Sequence, residues 1–333
     1  MIRGAVALSF GAVAFLVAGK PSARGEVRVE KVAYFGQPNC YRLTNGVVEA
    51  IVTTDVGPRV IRYGLVGGRN LFAEMPDDVV STELGDWKPM GGHRLWHAPE
   101  AKPRTYSPDN EPVKFEAVGA DAIRLTQKVE PATGIEKEML VRMDAEGTGV
   151  TVTHKLTNRG LWPVDLAPWA LTIVAGGGVT ILPQEPFRSH DDYLLPARPM
   201  VLWHYTDLTD PRWTLGKRYI RLRTDEKLNY AQKIGIQNKQ GWAAYLLDKV
   251  LFVKRFPFVE GRAYPDEGCN TETFTKGSFM EVETLGPMHR LAPGESALHV
   301  EKWYLFPNVD IGTTEATLDA AITPLLSLAT PAP

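Results

Sequence analysis

Apolar and polar side chains alternate along most of the chain. In the clearest stretch, Val150, Val152, His154 and Leu156 alternate with threonine and lysine. Alternation with period two is typical of a strand that has one buried face. The same pattern predicts eight further strands, at Val47–Thr54, Arg59–Tyr63, Ala122–Val129, Glu136–Met143, Trp242–Leu247, Leu251–Phe256, Phe279–Leu285 and Leu298–Phe306. Many short strands separated by turn signals indicate a mainly β sandwich.

Two regions break the alternation, and helical spacing occurs near the end of the chain. Glu74–Asn110 and Pro183–Lys217 are rich in proline and aromatic residues and are predicted to be long decorated loops. Long aromatic loops in a compact domain favour function. Thr313–Leu328 has the capping residues and apolar spacing of one short helix. We find no internal repeat and no linker, so the sequence predicts a single domain over residues 24–333.

The N-terminus has the pattern of a secretory signal. An apolar run, Gly4–Ala18, follows Arg3, and small residues precede Arg24. This pattern predicts a signal peptide over residues 1–23, with an uncleaved anchor as the alternative. The run is short for a membrane span. We therefore expect a mature protein without a membrane span, in a bacterial periplasm.

Composition excludes some partners and leaves one question open. The chain of 333 residues is 44% hydrophobic and 23% charged, with a net charge of −2. This is ordinary globular composition, and without a basic stripe we expect no nucleic-acid partner. Cys40 and Cys269 are the two cysteines. In an oxidising compartment they either pair or remain as separate buried thiols.

The first candidate site is an acidic hairpin near the C-terminus. A four-residue turn around Gly277 predicts Glu272 opposite Glu281, and Asn270 opposite Glu283, all on one face. Like charges facing each other on a sheet are unfavourable. Three explanations stay open, namely a solvated acidic face, a basic neighbour such as Lys254, or a site. In a site, one carboxylate acts as acid or base with a raised pKa, or the group shares a cation.

The second candidate site is the predicted loop Gly91–Glu100. Its histidines, His93 and His97, are four residues apart, but the glycine pair argues against a helix, and no zinc-protease motif is present. A loop with Arg94, Trp96 and Glu100 suits sugar recognition, because tryptophan offers a flat apolar platform and the polar groups orient hydrogen bonds. A purely structural loop is the alternative. From the other long loop, Trp203 is a further candidate for sugar contact.

The chain resembles the galactose mutarotase-like superfamily, whose fold is a β-supersandwich. It is most similar to an exported bacterial branch known only as a domain of unknown function. The resemblance covers nearly the whole mature chain, and its matching stretches are Leu43–Gly46, Gly57–Arg59, Gly91–Glu100, Ala167–Ala170, Arg198–Trp213, Gly241–Tyr245, Phe252–Arg255, Tyr264–Glu272, Phe279–Pro287 and Leu291–Glu295.

The resemblance implies roles for particular residues. In aldose epimerases a glutamate on a late strand, before a Pro-Gly-Glu turn, acts as the base, and a histidine protonates the ring oxygen. Here Glu281 or Glu283 precedes Pro293–Glu295. The strand that carries the epimerase histidine leads here to Trp169, so His93 or His97 would have to act as the acid.

Two functions follow. The first is an exported carbohydrate-active enzyme, epimerase-like or related, with Glu281 or Glu283 as base and His93 or His97 as acid. In this hypothesis Arg94, Trp96, Glu100, Trp203, Lys254, Asn270 and Glu272 bind the sugar, without a cofactor unless a cation joins Glu272 and Glu281. The second is a periplasmic carbohydrate-binding protein without catalysis, which the missing histidine favours.

Overall fold

The structure, a computed structural model, describes residues 25–333. The predicted signal peptide lies outside the described residues. Two large antiparallel sheets hold nearly all the strand residues in this part of the chain, which confirms the predicted mainly β architecture. No helix among these residues is both long enough and apolar enough to cross a bilayer.

The first sheet carries the candidate residues, and its strands are numbered here along the chain. In spatial order the strands are β1 Arg28–Tyr34, β2 Gln37–Thr44, β3 Val48–Thr53, β4 Arg59–Leu65, β8 Met90–Ala98, β13 Val164–Ala175, β22 Phe279–Leu285, β21 Thr271–Lys276, β18 Gln232–Ile236 and β15 Met200–Leu202. Two short strands, β5 Glu74–Met75 and β23 His289–Leu291, pair with β8 and β13.

The second sheet packs against the first. Its spatial order is β16 Trp213–Leu215, β17 Tyr219–Arg223, β14 Val179–Pro183, β19 Trp242–Leu247, β20 Val250–Arg255, β24 Ser296–Phe306, β12 Val150–Asn158, β11 Ile135–Met143, β10 Ala122–Thr126 and β9 Lys114–Val118. A separate hairpin joins β6 Val80–Thr82 to β7 Gly85–Trp87.

The main core lies between the two sheets. Leu95 and Val282 from the first sheet meet Phe252 and Trp303 from the second, all at most 1% exposed. The rings of Phe252 and Trp303 pack edge to face, 5.9 Å apart. Because side chains alternate along a strand, the neighbours of Leu95 and Val282 point to the outer face of the first sheet.

The predicted C-terminal helix is present, at Glu315–Leu328. Thr314 caps it, since its side chain accepts a hydrogen bond from the backbone N–H of Thr317 and Thr317 bonds back. Leu318 and Ile322 pack on the outer face of the second sheet. The helix therefore covers the side of the sandwich remote from the first sheet.

The predicted loop over Gly91–Glu100 is wrong, because β8 occupies Met90–Ala98 in the middle of the first sheet. All nine residues are buried, so no polar–apolar alternation marks the strand in the sequence. The glycines let it enter the sheet. A Cβ on Gly91 would lie 2.0 Å from the carbonyl oxygen of Ala73, and one on Gly92 would lie 2.3 Å from that of Val60. Both glycines also have positive φ.

The two cysteines are both buried and free. Cys40 lies on β2, near one edge of the first sheet, and Cys269 precedes β21 on the opposite side. The alternative of separate buried thiols is therefore the one found.

Candidate active-site cleft

A cleft of about 540 Å³ opens on the outer face of the first sheet. Its floor comes from β8, β13, β22, β21 and β18, and its walls come from the segments that follow β5, β8 and β15. The aromatic residues that line it are Trp87, Trp96, Tyr106, Trp169, Trp203, Tyr205, Phe274 and Phe279. Its charged residues are Asp78, Arg94, Glu100, Lys233, Lys276 and Glu281. The structure thus brings five predicted site residues, Arg94, Trp96, Glu100, Trp203 and Glu281, to one cleft.

Strand alternation explains why these residues meet. On β8, Arg94 and Trp96 point to the outer face, while Leu95 between them packs into the core. On β22, Glu281 points outward, and Val282 points inward. Since β8 and β22 both pair with β13, the outward side chains lie two strands apart over the same face.

Arg94 and Glu281 form the ion pair on the cleft floor. Arg94 Nη2 lies 3.3 Å from Glu281 Oε1. The Arg94 guanidinium lies over two indole rings, 4.5 Å from the centroid of Trp87 and 4.9 Å from that of Trp96. This packing fixes the guanidinium. Its Nε and Nη1 are buried without hydrogen-bond partners, so Glu281 is its one polar contact among the described side chains.

The pKa of Glu281 lies near neutrality. Burial, together with the nearby Glu283 carboxylate, raises the pKa of Glu281 to about 7, although Arg94 acts in the opposite direction. Burial also lowers the pKa of Arg94 to about 10. A carboxyl group whose pKa lies near 7 both accepts and donates a proton at neutral pH, as a general acid or base must.

Lys233 lies under the cleft between two buried glutamates. Its Nζ is 2.7 Å from Glu272 Oε2 and 3.1 Å from Glu283 Oε2. The same ammonium lies over the rings of Trp169 and Trp203, at 4.9 and 4.6 Å from their centroids. Burial alone would lower the pKa of Lys233, but the two carboxylates outweigh it and raise the pKa well above its usual value.

The buried carboxylates near Lys233 outnumber the ammonium. Burial, with Glu283 and Asp266 nearby, raises the pKa of Glu272 well above its usual value. Neither oxygen of Glu272 has a well-directed hydrogen bond, and Glu283 Oε1 has none either. Glu283 Oε2 accepts a bond from Trp169 Nε1 at 2.9 Å. Glu272 and Glu283 thus share one ammonium group, and burial disfavours the ionised form of Glu272.

The predicted hairpin register is wrong by two residues. Glu272 pairs with Glu283, and Phe274 pairs with Glu281, because the turn has two residues and not four. Gly277 takes φ of 60° at the first turn position, where tight hairpins favour glycine. A shift of two keeps each side chain on its face. The acidic cluster therefore survives with different partners.

Six predicted site residues, namely His93, His97, Lys254, Asn270, Glu272 and Glu283, do not line the cleft. His93 and Lys254 are 0% exposed, His97 is 1% exposed, and all three lie between the sheets. His97 Nε2 is 3.6 Å from Glu130 Oε2. Asn270 is also fully buried, and its amide bonds the backbone N–H and C=O of Asn238. Glu272 and Glu283, the two carboxylates that contact Lys233, are also 0% exposed and lie beneath the cleft floor.

His93 and Lys254 belong to a hydrogen-bonded network between the sheets, which we call the interior network. Its members are Lys254, Thr172, His93, His154, His299, Thr284, Glu301 and Trp303. Lys254 Nζ lies 2.7 Å from Glu301 Oε1 and donates to Thr172 Oγ1 at 3.0 Å. His93 and His154 meet through their Nε2 atoms at 2.6 Å.

The interior network keeps its histidines neutral. Burial lowers the pKa of His154 to about 4 and that of His299 to about 3, and it lowers the pKa of His93 well below its usual value. Burial alone would raise the pKa of Glu301, but Lys254 outweighs it, so the pKa is lowered. The interior network thus has one ion pair and neutral imidazoles.

Among residues 25–333, a group of side chains close enough together to hold a metal ion occurs in the interior network and not in the cleft. Atoms of His93, His154 and Glu301 lie within 4.8 Å of one another. Each of these atoms is buried and already bonded to a protein group, so a cation would have to break those bonds. Beside Glu272, the Lys233 ammonium supplies the positive charge.

Sequence reasoning missed Lys233 and several wall aromatics. Lys233 lies within the fully buried strand β18, which pairs with β21 about forty residues later. A lone lysine in an apolar run, Gln232–Ile236, was the available signal. Tyr106, whose hydroxyl donates to Glu100, ends a short 3-10 helix, Arg104–Tyr106, and Tyr205 lies in an irregular segment, so neither has such a signal.

The fold is that of the galactose mutarotase-like β-supersandwich. A galactose mutarotase-like protein from Lactobacillus casei ATCC 334 superposes with a TM-score of 0.52 at 11% identity, covering 80% of this chain and 100% of that one. A putative mutarotase, YeaD, from Salmonella typhimurium gives 0.54 at 9% identity, covering 85% and 94%. These identities establish the fold alone.

A third structural neighbour is larger. A TPR-domain containing protein from Parabacteroides distasonis ATCC 8503 superposes with a TM-score of 0.54 at 13% identity over 83% of this chain. The match spans 49% of that protein, about half of its length. No family model and no curated protein sequence matches the chain.

Proposed function

We propose that this protein binds a carbohydrate in the aromatic cleft and that Glu281 transfers a proton to or from the bound sugar. The observation that carries the proposal is the position of Glu281. Its carboxyl group, with a pKa of about 7, lies on the floor of a cleft lined by eight aromatic residues. A perturbed acid in an aromatic pocket is a strong candidate for chemistry.

The walls and floor have separate roles in this proposal. Aromatic rings stack on the apolar C–H face of a sugar ring, and partly exposed residues such as Trp203 and Tyr205 are placed to do so. Arg94 holds the Glu281 carboxylate in place at 3.3 Å. Proton transfer by side chains needs no metal or organic cofactor.

Anomer exchange tests the catalytic half of the proposal. Exchange-NMR spectra of common aldoses are recorded with purified protein, and with Glu281→Gln and Glu260→Gln. Glu260 is exposed and does not line the cleft, so it is the matched control. We expect exchange above background with the native protein and the control, and none with Glu281→Gln. Background rates with every aldose would remove epimerase chemistry.

The second candidate function is carbohydrate binding without catalysis. It is favoured because neither His93 nor His97 reaches the cleft, so the acid that the resemblance implies is missing there. Calorimetry with a ligand that raises the melting temperature measures binding, and the exchange spectra measure turnover. Together the two measurements separate the two functions. Binding without turnover supports the second function, and the absence of binding by any glycan counts against both.

We also propose that the chain is exported, as in the bacterial branch that it resembles. The support is the basic, apolar and small-residue order of residues 1–23. Expression of the full chain in a Gram-negative host, followed by fractionation and N-terminal sequencing, tests this proposal. We expect a periplasmic product that starts near residue 24. A cytoplasmic product with its N-terminus intact would contradict it.

A further inference from the structure

The cleft floor is long across the strands. Five adjacent strands each contribute lining side chains, in the order β8 with Arg94, β13 with Leu171, β22 with Glu281, β21 with Phe274 and β18 with Lys233. Neighbouring strands lie about 4.8 Å apart, so four spacings give a floor about 19 Å long. A single pyranose ring covers roughly one such spacing. The floor is therefore several sugar units long.

The cleft floor is also long along the strands. On β13 its lining residues run from Trp169 to Ile173, and Phe279 on β22 lies opposite Ala175, two positions beyond Ile173. Six residues of a strand span about 20 Å. The cleft, which we call the groove, is therefore longer than one pyranose ring in both directions.

Aromatic side chains lie on both sides of Glu281 along this groove. Over β8, Trp87 and Trp96 are only 5% and 6% exposed, and the Arg94 guanidinium lies over both rings. The aromatic surface on that side is therefore the partly exposed Tyr106, whose ring lies 5.2 Å from that of Trp96. Over β18, Trp203 lies 4.6 Å from Lys233 Nζ, and Tyr205 lines the same wall. Glu281 belongs to β22, the third of the five strands. The groove thus has an aromatic platform near each end and the titratable carboxyl group between them.

The charges of the groove are balanced. Arg94, Lys233 and Lys276 are positive, and Asp78, Glu100 and Glu281 are acidic. The buried Glu272 and Glu283 beneath the floor contact Lys233 and add only acidic groups. A polyanionic chain would find no excess of cations here.

We infer that the ligand of this groove is a neutral oligosaccharide of at least three units, lying across the strands with its central unit over Glu281, and not a free monosaccharide. The inference rests on the proposed carbohydrate binding and names its substrate class. Each aromatic platform then holds one end of the chain, and contacts at both ends act together on one ligand.

A length series tests the inference. Calorimetry with the full chain uses gluco-, xylo- and chito-oligosaccharides with β-1,4 linkages, and malto-oligosaccharides, each from one to six units. In the series that binds, we expect affinity to rise at least about tenfold from one unit to three and to level off by about five. Equal affinity for one and three units would overturn the inference while leaving carbohydrate binding intact. A lack of binding in all four series would instead refute the proposed function.

The expected preference for a neutral ligand is tested by comparing neutral and polyanionic oligosaccharides. Oligogalacturonates of the same lengths are the polyanionic probe. We expect them to bind more weakly than the neutral chains of the best series. Tighter binding of the oligogalacturonates at 0.15 M salt would overturn the neutral assignment.

Variants locate the outer platform. Tyr205 is 45% exposed, and Tyr205→Ala leaves the core packing intact. We expect Tyr205→Ala and Trp203→Ala to reduce affinity for the trisaccharide about tenfold and to abolish most of the gain with length. Trp162→Ala is the matched control, because Trp162 is 78% exposed and lies outside the cleft. Unchanged length dependence in both cleft variants, with unchanged melting temperatures, would contradict the inference.

Discussion

The interior network and the cleft are built from neighbouring residues of the same strands, yet they differ in how their polar atoms are satisfied. On β8, His93 enters the interior network and Arg94 lines the cleft. On β22, Thr284 bonds Glu301 in the interior, and Glu283 bonds Lys233 under the cleft. One step along a strand thus separates the two environments.

In the interior network, each charged atom has its partners. Lys254 bonds Thr172, the Val282 carbonyl and Glu301, and Trp303 Nε1 donates to Glu301 at 2.7 Å. Under the cleft, by contrast, Arg94, Glu272 and Glu283 all keep buried atoms without hydrogen bonds. Satisfied buried networks rigidify a fold, whereas unsatisfied polar groups are costly and concentrate at functional sites. The difference supports the proposal that the cleft, and not the interior network, takes a ligand.

The largest expected effect comes from the interior network. Glu301→Gln removes the ionised partner of Lys254 and leaves a buried ammonium, which costs about 3–5 kcal/mol of unfolding free energy. Urea unfolding at pH 7 measures the loss. A loss below about 1 kcal/mol would show that the Lys254–Glu301 pair is not the stabilising element, and the comparison between the two regions would fail.

The second effect is a pH dependence of opposite sign in the two regions. The pKa of Glu281 is raised to about 7, so between pH 4.5 and 7 the folded chain binds more protons than the unfolded chain and loses stability as pH rises. The pKa of His154 is lowered to about 4, so between pH 4 and 6.5 the unfolded chain binds more protons and stability falls as pH drops.

Two variants separate these slopes. Relative to the native chain, Glu281→Gln gains unfolding free energy as pH rises from 4.5 to 7, by up to about 1.4 kcal/mol per pH unit. His154→Gln gains unfolding free energy, relative to the native chain, as pH falls from 6.5 to 4. Urea unfolding at half-unit pH steps measures both differences. Slopes of the same sign would contradict the assigned protonation states.

A smaller effect is expected under the cleft. Burial raises the pKa of Glu272 well above its usual value, which favours the neutral acid, and its oxygens lack well-directed hydrogen bonds. Glu272→Gln introduces a neutral group of similar shape at this position. We expect a change in unfolding free energy within about 1 kcal/mol at pH 7. Thermal unfolding beside Glu301→Gln makes the comparison. A loss as large as that of Glu301→Gln would mean that Glu272 is the ionised partner of Lys233.

The smallest effect belongs to an exposed ion pair that serves as a reference. Arg290 Nη1 lies 2.9 Å from Asp165 Oδ2, with side chains 71% and 59% exposed. Solvent screens such pairs, so Arg290→Met should change the unfolding free energy by no more than about 0.5 kcal/mol. A larger loss in thermal unfolding would show that exposure does not separate the two kinds of ion pair here.

The sequence predicted the elements whose signals are local. Alternation located β19 and β22 at their observed bounds, Trp242–Leu247 and Phe279–Leu285. It failed at β8, because a strand buried on both faces carries no alternation. The face of each hairpin residue was right although the register was wrong, since a shift of two preserves the face.

The candidate site was predictable only in part, because its assembly depends on distant strand pairs. Arg94, Trp96 and Glu281 were named from composition and resemblance, and the structure brings them together. The sequence does not say which face of β8 its histidines occupy, so His93 and His97 were placed in the site. Lys233 was missed because β18 pairs with β21 across a separation that no local pattern reveals.

The double burial of β8 has a consequence for how such a protein diversifies. Every position from Met90 to Ala98 is packed on one side or the other, and Gly91 and Gly92 leave no room for a side chain. Accepted substitutions should therefore be rare in the floor and frequent in the wall segments around Val80, Tyr106 and Tyr205. New ligand preferences would then arise by exchanging loops above an unchanged base.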